Sequence, residues 1–287
     1  MAPIQHIAVI GAGTMGQGIS QLCAQAGFKV LLYDIQPELV KSAVTAIAHS
    51  LDVAIQKEKI TAAQREAALQ NIVPTSDFRL LQVDLVIEAV IEKLEVKQML
   101  LTEVEKLNDQ HCILTSNTSS IAITQIAAPL KYPGQFAGLH FFNPATTMKL
   151  VEIIRGTATS DSTINTLKDF SERIHKTAVL AADSPGFIVN RVARHYYTES
   201  LKLAEERVCT IEGIDQLLQA TGFRMGPFAL MDLIGIDINY AVTETIFKGF
   251  HYDPKFRPSR LQQQKIASGQ LGRKTGKGFY EYPDLPK

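Results

Sequence analysis

Three glycines near the start of the sequence have the spacing of a phosphate-binding turn. Gly11, Gly13 and Gly16 stand in GAGTMG, a G-x-G-x-x-G pattern between a buried apolar run and a helical run. Such glycines permit a tight bend, bring the backbone close to a pyrophosphate and pack the helix against the strand. The helix N-terminus offers free N–H groups and a positive dipole end to phosphates. A turn kept only for packing, or the similar turn of a methyltransferase, remains an alternative.

An acidic residue ends the next apolar run. Asp34 follows Gly16 by 18 residues, at the end of KVLLYD. A carboxylate at this position can accept hydrogen bonds from both hydroxyls of a ribose. It would also repel a 2′-phosphate, and no arginine follows directly. These residues predict a dinucleotide-binding fold that uses NAD in preference to NADP.

A histidine and a glutamate could form a proton-transfer pair. His140 and Glu152 are twelve residues apart in LHFFNPATTMKLVEII, each in or beside a predicted strand. On adjacent strands, a carboxylate on one ring nitrogen would fix the tautomer and leave the other nitrogen to take a proton from a hydroxyl. Dehydrogenation of an alcohol needs such a pair. A structural histidine remains the alternative, because the chain has seven histidines.

The elements that must position these residues alternate between strand and helix. Apolar runs predict strands at 4–10, 29–33, 84–90, 112–118, 136–142, 149–155 and 177–182. Helical periodicity follows the glycine turn and recurs near 94–108 and 162–174. This alternation predicts a Rossmann-type α/β fold with a mostly parallel sheet covered on both faces. The helix-favouring segment 37–71 is longer than the dozen or so residues that a parallel crossover needs.

The pattern changes after DSPGF at 183–187. From Phe187 onward the periodicity is mainly helical, and 227–247 is apolar over much of its circumference. Such a segment is typical of a helix buried against a partner. We predict a dinucleotide-binding domain at 1–183 and an all-helical domain for substrate binding and dimerisation at 184–287.

Composition excludes several classes of protein. Lys plus Arg and Asp plus Glu number 29 each in 287 residues, so no global charge attracts nucleic acid or an anionic membrane. No stretch reaches the roughly 18 apolar residues of a membrane helix. The three cysteines lie far apart without CxxC spacing, which indicates reduced thiols. We predict a cytoplasmic protein with no metal centre, no nucleic-acid partner and no membrane partner.

Six motifs, in order along nearly the whole chain, resemble the L-3-hydroxyacyl-CoA dehydrogenases and especially their short bacterial branch. They are SNTSS (116–120), GLHFFNP (138–144), MKLVEII (148–154), DSPGFIVNR (183–191), MGPFALMDLIG (225–235) and GRKTGKGFYEY (272–282). The resemblance implies NAD-dependent oxidation of (S)-3-hydroxyacyl-CoA, such as 3-hydroxybutyryl-CoA, in fatty-acid or aromatic-acid catabolism. It also implies a homodimer paired through the helical domain, and a helical hairpin from 37–71 that reaches over the acyl-CoA.

Carried over motif by motif, the resemblance implies a set of catalytic residues. His140 would be the general base and Glu152 its orienting partner. Ser119 would hydrogen-bond the substrate 3-oxygen and also contact the nicotinamide. Asn190 would help to place substrate or histidine, and Asn143 would lie beside the nicotinamide.

The resemblance further implies contacts to cofactor and CoA. Glu92, Lys97 and Lys274 would contact the cofactor, while Ser50 and Lys57 would contact the acyl-CoA. Each position has a structural alternative, such as a helix cap, a buried polar residue or a solvated surface charge. A sugar-acid or hydroxy-acid dehydrogenase of the same superfamily, and a non-catalytic dinucleotide-binding protein, remain alternative functions. The sequence leaves the acyl chain unassigned.

Overall fold

The computed structural model describes residues 4–283, which divide into two compact units. One unit ends at Ser184 and the other begins at Pro185. The first is a sheet covered by helices, and the second consists mainly of helices. Within residues 4–283, no helix is both long enough and apolar enough to cross a membrane.

The first unit alternates strands and helices. Its strands are β1 (His6–Ile10), β2 (Lys29–Tyr33), β3 (Ile72–Thr75), β4 (Leu85–Glu88), β5 (Ile113–Ser116), β6 (Phe136–Phe141), β7 (Leu150–Arg155) and β8 (Thr177–Ala182). Its helices are α1 (Thr14–Gln25), α2 (Pro37–Gln56), α3 (Ala62–Gln70), α4 (Leu94–Leu107), α5 (Ile123–Ala127) and α6 (Asp161–Arg173).

The strands form one sheet in the order β3-β2-β1-β4-β5-β6-β7-β8. Every neighbouring pair is parallel except β6 and β7. The chain reverses its direction of travel across the sheet beside β1, and ligands of doubly wound folds bind at the carboxyl ends of the strands near such a point. The predicted Rossmann-type fold with a helical C-terminal part is confirmed.

Sequence patterns do not predict β3, which lies at the edge of the sheet. The strand has only four residues, and Pro74 lies inside it. Proline cannot donate to a ladder of hydrogen bonds, so it argues against a strand unless that strand is at an edge. Among residues 4–283, β3 pairs with β2 alone, and the missing donor therefore costs little.

The long segment before β3 forms the pair of helices α2 and α3. A capping box begins α3, in which the Thr61 hydroxyl accepts from the Gln64 backbone N–H and the Gln64 side chain accepts from the Thr61 backbone N–H. Arg65 of α3 lies 2.6 Å from Asp52 of α2. Because Leu51 is fully buried in the core of this unit, the pair is anchored to the sheet domain through its apolar face.

The second unit contains α7 (Val189–Glu205), α8 (Ile211–Ala220), α9 (Pro227–Ile234), α10 (Ile236–Gly249) and α11 (Arg260–Ala267). The prediction of one buried helix over 227–247 is wrong, because the chain bends at Gly235, whose φ of +103° lies outside the helical region. Apolar residues from both halves still share a core, which includes Phe228, Met231 and Ile236.

Candidate active site

The glycine turn connects the carboxyl end of β1 to α1, and packing fixes two of its glycines. Gly11 has a φ of +109°, and a Cβ on it would lie 2.6 Å from the carbonyl oxygen of Ala89. A Cβ on Gly16 would lie 1.7 Å from the carbonyl oxygen of Gly11. Both distances are shorter than real contacts, so neither position admits a side chain without rearrangement of the backbone.

Gly13 is different, because packing within the protein does not require it. A Cβ added at Gly13 would meet no atom within 4 Å. This residue is the N-cap of α1, where the free N–H groups of the first turn lie. The open space is therefore beside the part of the turn at which a pyrophosphate approaches. The residues of the turn fit a dinucleotide, and packing alone accounts for only two of the three glycines.

Asp34 follows β2 directly and is oriented by the backbone around it. Its Oδ2 accepts from the N–H of Ala12 at 2.9 Å, and its Oδ1 accepts from the N–H of Gln36 at 3.0 Å. A carboxylate has about four acceptor positions, so two contacts leave capacity for ribose hydroxyls. The carboxylate and the glycine turn are thus joined by a hydrogen bond.

A cavity of about 730 Å³ opens beside Asp34 and the glycine turn. Its walls are mainly apolar and come from separate elements, including Leu39 of α2, Phe78, and Val96 and Met99 of α4. Such a pocket, with few polar groups, suits a flat aromatic base attached to a ribose. Sequence patterns did not predict that these residues line one cavity, because they lie far apart along the chain.

His140 and Glu152 meet across the antiparallel strands β6 and β7. The two residues are directly opposed in the register, and Nδ1 of His140 lies 2.8 Å from Oε2 of Glu152. Only 5% and 1% of the two residues are exposed. Opposite an ionised carboxylate, Nδ1 of a neutral imidazole carries the proton and the ring lone pair lies on Nε2. The Phe142 ring packs on the imidazole at 4.5 Å between centroids.

The turn between β6 and β7 is held in place by a lysine that the sequence did not indicate. Nζ of Lys176 donates to the carbonyl oxygens of Ala145 and Met148, at 2.7 and 2.5 Å. Burial lowers the pKa of Lys176. Asn143 lies exposed at the start of this turn. The lysine therefore fixes the turn that carries the predicted nicotinamide contact.

Two predicted cofactor contacts, Glu92 and Lys97, belong to a charge cluster around one buried lysine. Nζ of Lys97 is 2.7 Å from Oε1 of Glu88 and 3.2 Å from Oε2 of Glu92. Lys97 is 1% exposed, and Glu88 is fully buried. Glu88 also accepts from the hydroxyl of Ser116 at the end of β5. Sequence analysis missed Glu88, although a glutamate ending a buried apolar strand is a signal that could have found it.

Glu92 organises the loop that carries Ser119. Its Oε1 accepts from the hydroxyls of Thr118 and Ser120 and from the backbone N–H of Ser119 at 3.1 Å. Desolvation would raise the pKa of Glu92, but Lys97 and these hydrogen bonds outweigh it and hold the pKa below its usual value. Glu92 is thus ionised at neutral pH and acts as a common acceptor for the loop.

The remaining predicted residues are more exposed. Ser50 lies on α2, and Lys57, two helical turns later, is the C-cap residue of that helix. Both residues are exposed. In the second unit, Asn190 is the second residue of α7 and is half-buried. Lys274 forms an ion pair with Asp237, with 2.6 Å between Nζ and Oδ1.

The glycine turn, Asp34 and the His140–Glu152 pair lie along the carboxyl edge of one doubly wound sheet. A dinucleotide-binding turn and an imidazole oriented by a carboxylate, at the same edge of the sheet, define the class of protein as a nucleotide-dependent oxidoreductase.

Family models locate the chain within that class. Residues 6–184 match the NAD binding domain of 3-hydroxyacyl-CoA dehydrogenase, and residues 186–282 match the C-terminal domain of the same family. The chain belongs to the 3-hydroxyacyl-CoA dehydrogenase family. The predicted family and the predicted NAD-binding domain are confirmed.

Individual relatives agree with this assignment. The chain is 45% identical over 284 residues to a 3-hydroxyadipyl-CoA dehydrogenase of Escherichia coli, with 98% of this chain and 60% of that protein covered. It therefore spans about three fifths of that relative. A 3-hydroxybutyryl-CoA dehydrogenase of Bradyrhizobium diazoefficiens is 38% identical, with 98% and 96% covered. The solved (S)-3-hydroxybutyryl-CoA dehydrogenase of Ralstonia eutropha is 40% identical with a TM-score of 0.95, covering 98% of this chain and all of that one.

Proposed function

We propose that the protein catalyses the reversible, NAD-dependent oxidation of (S)-3-hydroxyacyl-CoA to 3-ketoacyl-CoA. The observation that carries the proposal is the 2.8 Å contact between His140 Nδ1 and Glu152 Oε2 at the sheet edge that bears the glycine turn. The names of the Escherichia coli and Bradyrhizobium diazoefficiens relatives support a 3-hydroxyacyl-CoA as the substrate.

His140 is the general base in this proposal. Its Nε2 takes the proton of the substrate 3-hydroxyl, and the imidazole becomes positively charged. Glu152 holds the ring by Nδ1 and stabilises that charge at short range. NAD, when bound, supplies the acceptor for the hydride that leaves C3. Burial of both side chains keeps water from competing for the proton.

Ser119, Asn190 and Asn143 position the reactants. The Ser119 hydroxyl bonds the substrate 3-oxygen, and Glu92 fixes the Ser119 backbone for this role. Asn190 would help to place substrate or histidine, and Asn143 would contact the nicotinamide. These roles rest on the matching motifs of the sequence.

The cofactor is held mainly by backbone. Gly13 and the first turn of α1 would hold the pyrophosphate, and Asp34 would accept hydrogen bonds from the ribose hydroxyls. Lys97 contributes to cofactor binding indirectly, by holding Glu92 in place, because its own ammonium is buried between two carboxylates. A contact of Lys274 with the cofactor stays a prediction.

The acyl-CoA lies along the helical hairpin, with Ser50 and Lys57 as polar contacts. We further propose a cytoplasmic homodimer that pairs through the second unit. Exposed apolar side chains on that unit support the pairing; they include Val192, Leu217, Phe223, Leu233 and Ile238. A dimer would have a mass about twice that of the 31.6 kDa chain.

The test is the loss of absorbance at 340 nm when NADH and acetoacetyl-CoA are mixed with the protein. We expect turnover with acetoacetyl-CoA and none with free acetoacetate, because the CoA contacts belong to the site. Equal turnover of the free acid would favour a hydroxy-acid dehydrogenase, and no turnover of either compound would contradict the proposal.

A further inference from the structure

A buried arginine in the second unit has no part in the chemistry described above. Arg194 lies on α7 and is 3% exposed. Its guanidinium donates to the carbonyl oxygen of Asn239 and the hydroxyl of Thr243, both at 2.8 Å, and to the carbonyl oxygen of Asn190 at 3.3 Å. It also packs over the ring of Tyr197, with 4.8 Å between Cζ and the ring centroid.

All of these partners are neutral. In the part of the chain that the structure describes, Arg194 forms no ion pair, and its Nη2 makes no hydrogen bond. Lys97 is buried as deeply but lies between two carboxylates. Burial lowers the pKa of Arg194 to about 10, as expected for a cation without an anionic neighbour. A buried cation is costly unless it is paired, so an uncompensated one suggests that its anion comes from a ligand.

The place of Arg194 in α7 indicates where that ligand would lie. Arg194 follows Asn190 by four residues, so the two side chains leave the same side of the helix one turn apart. A helical turn rises about 5.4 Å. Asn190 is the residue that we propose to place the substrate, and the inference rests on that proposed function.

We propose that Arg194 binds the distal carboxylate of a dicarboxylic 3-hydroxyacyl-CoA, such as a 3-hydroxyadipyl group. In that group three C–C bonds of about 1.5 Å separate C3 from the terminal carboxyl carbon. The guanidinium lies within that short reach of Asn190, because its Nε is 3.3 Å from the Asn190 carbonyl oxygen. A guanidinium can hold a carboxylate through two parallel hydrogen bonds, and Nη2 is available for them. The name of the Escherichia coli relative shows that this substrate class occurs in the family.

The experiment compares two six-carbon substrates that differ in one charge. Reduction of 3-oxoadipyl-CoA and of 3-oxohexanoyl-CoA by NADH is followed at 340 nm in the wild-type protein. We expect the ratio of kcat/KM values to favour the dicarboxylic substrate by roughly 10- to 100-fold, as for a hydrogen bond to a charged group. A ratio near one would overturn the inference, whereas no turnover of either substrate or of acetoacetyl-CoA would instead overturn the proposed function.

Variants assign the preference to one side chain. Arg194→Met should lower kcat/KM for 3-oxoadipyl-CoA far more than for 3-oxohexanoyl-CoA, and Arg194→Lys, which keeps the charge, should retain part of the preference. Arg260→Met removes an exposed cation from the same unit and should leave the ratio at its wild-type value. Arg194→Met would refute the proposal if it lowered kcat/KM equally for both substrates while the protein kept the wild-type melting temperature. Arg194 would then only connect α7 to α10 and would not bind the carboxylate.

If Arg194→Met does not fold, inhibition of the wild-type protein still decides the matter. Adipyl-CoA and hexanoyl-CoA lack the reactive oxygen and serve as unreactive probes. We expect adipyl-CoA to be the stronger competitive inhibitor, with a preference that Arg194→Lys reduces. Equal inhibition constants would contradict a site for the distal carboxylate.

Discussion

Nδ1 of His140 and Oε2 of Glu152 lie 2.8 Å apart because the two residues are register partners on antiparallel strands. The strand pairing, rather than a flexible loop, sets this distance. Both side chains are almost fully buried, so the contact is made in a medium that strengthens electrostatic interaction. In the proposed mechanism this contact orients the ring, and Nε2 is the nitrogen that takes the proton.

Replacement of the histidine tests the general base. We expect His140→Gln to lower kcat by about 100- to 10,000-fold, the usual contribution of a positioned base. NADH should still bind, which a fluorescence titration of NADH can measure. His111→Gln changes an exposed histidine and should have wild-type kinetics. Near-normal turnover of acetoacetyl-CoA by the His140 variant would contradict the assignment.

Replacement of the glutamate tests the orienting partner. Glu152→Gln keeps the size of the side chain but removes the charge that stabilises the imidazolium. Because that charge develops in the transition state, kcat should fall by about 100-fold or more while KM changes little. Glu172→Gln, at an exposed position on α6, is the matched control. A defect limited to KM would argue against this role.

The glycine turn allows packing and ligand binding to be separated. Gly13→Ala places a methyl group in open space, so the protein should keep its stability but bind NADH more weakly. Gly16→Ala places the methyl group against the Gly11 carbonyl, so the protein should be destabilised. Thermal melts and NADH titrations measure the two effects. Equal loss of stability in both variants would show that Gly13 is also a packing residue.

The charge cluster at Lys97 predicts a large effect on stability. Lys97→Met leaves the fully buried Glu88 without its cation, which should cost about 3–5 kcal/mol of unfolding free energy. Lys277→Met breaks an exposed pair with Glu281 and should change the unfolding free energy far less, because solvent screens the pair. Urea denaturation of both variants provides the comparison. Similar small losses would mean that the buried pair contributes no more than a surface one.

Sequence patterns located the residues of the candidate site better than their partners. GAGTMG, Asp34, His140 and Glu152 stand in short runs whose local structure follows from periodicity and turn chemistry. Glu88 and Lys176 were missed, although each holds a loop that carries a predicted site residue. Lys97, the cation paired with Glu88, lies nine residues away, and the carbonyl partners of Lys176 lie 28 or more residues away, so no local pattern reports these contacts.

In the second unit, sequence patterns predicted burial but not backbone geometry. Apolar composition indicated burial at 227–247, and Phe228, Met231 and Ile236 are indeed buried. It did not indicate the bend at Gly235, because hydrophobicity reports where a residue lies and not the dihedral angles of one glycine. The buried charge of Arg194 was also invisible, since arginine is usually exposed.

By itself the sequence determined most of the alternation of strands and helices in the first unit, the glycine turn and the candidate imidazole and carboxylate. These are local properties, because they depend on hydrophobic period, turn residues and side-chain chemistry over a few positions. Only the tertiary structure decided that β6 and β7 run antiparallel in the register that opposes His140 to Glu152, and that Lys97 and Arg194 are buried with different partners. Such contacts depend on which segments pack together, and that is fixed by the free energy of the whole fold rather than by any one segment.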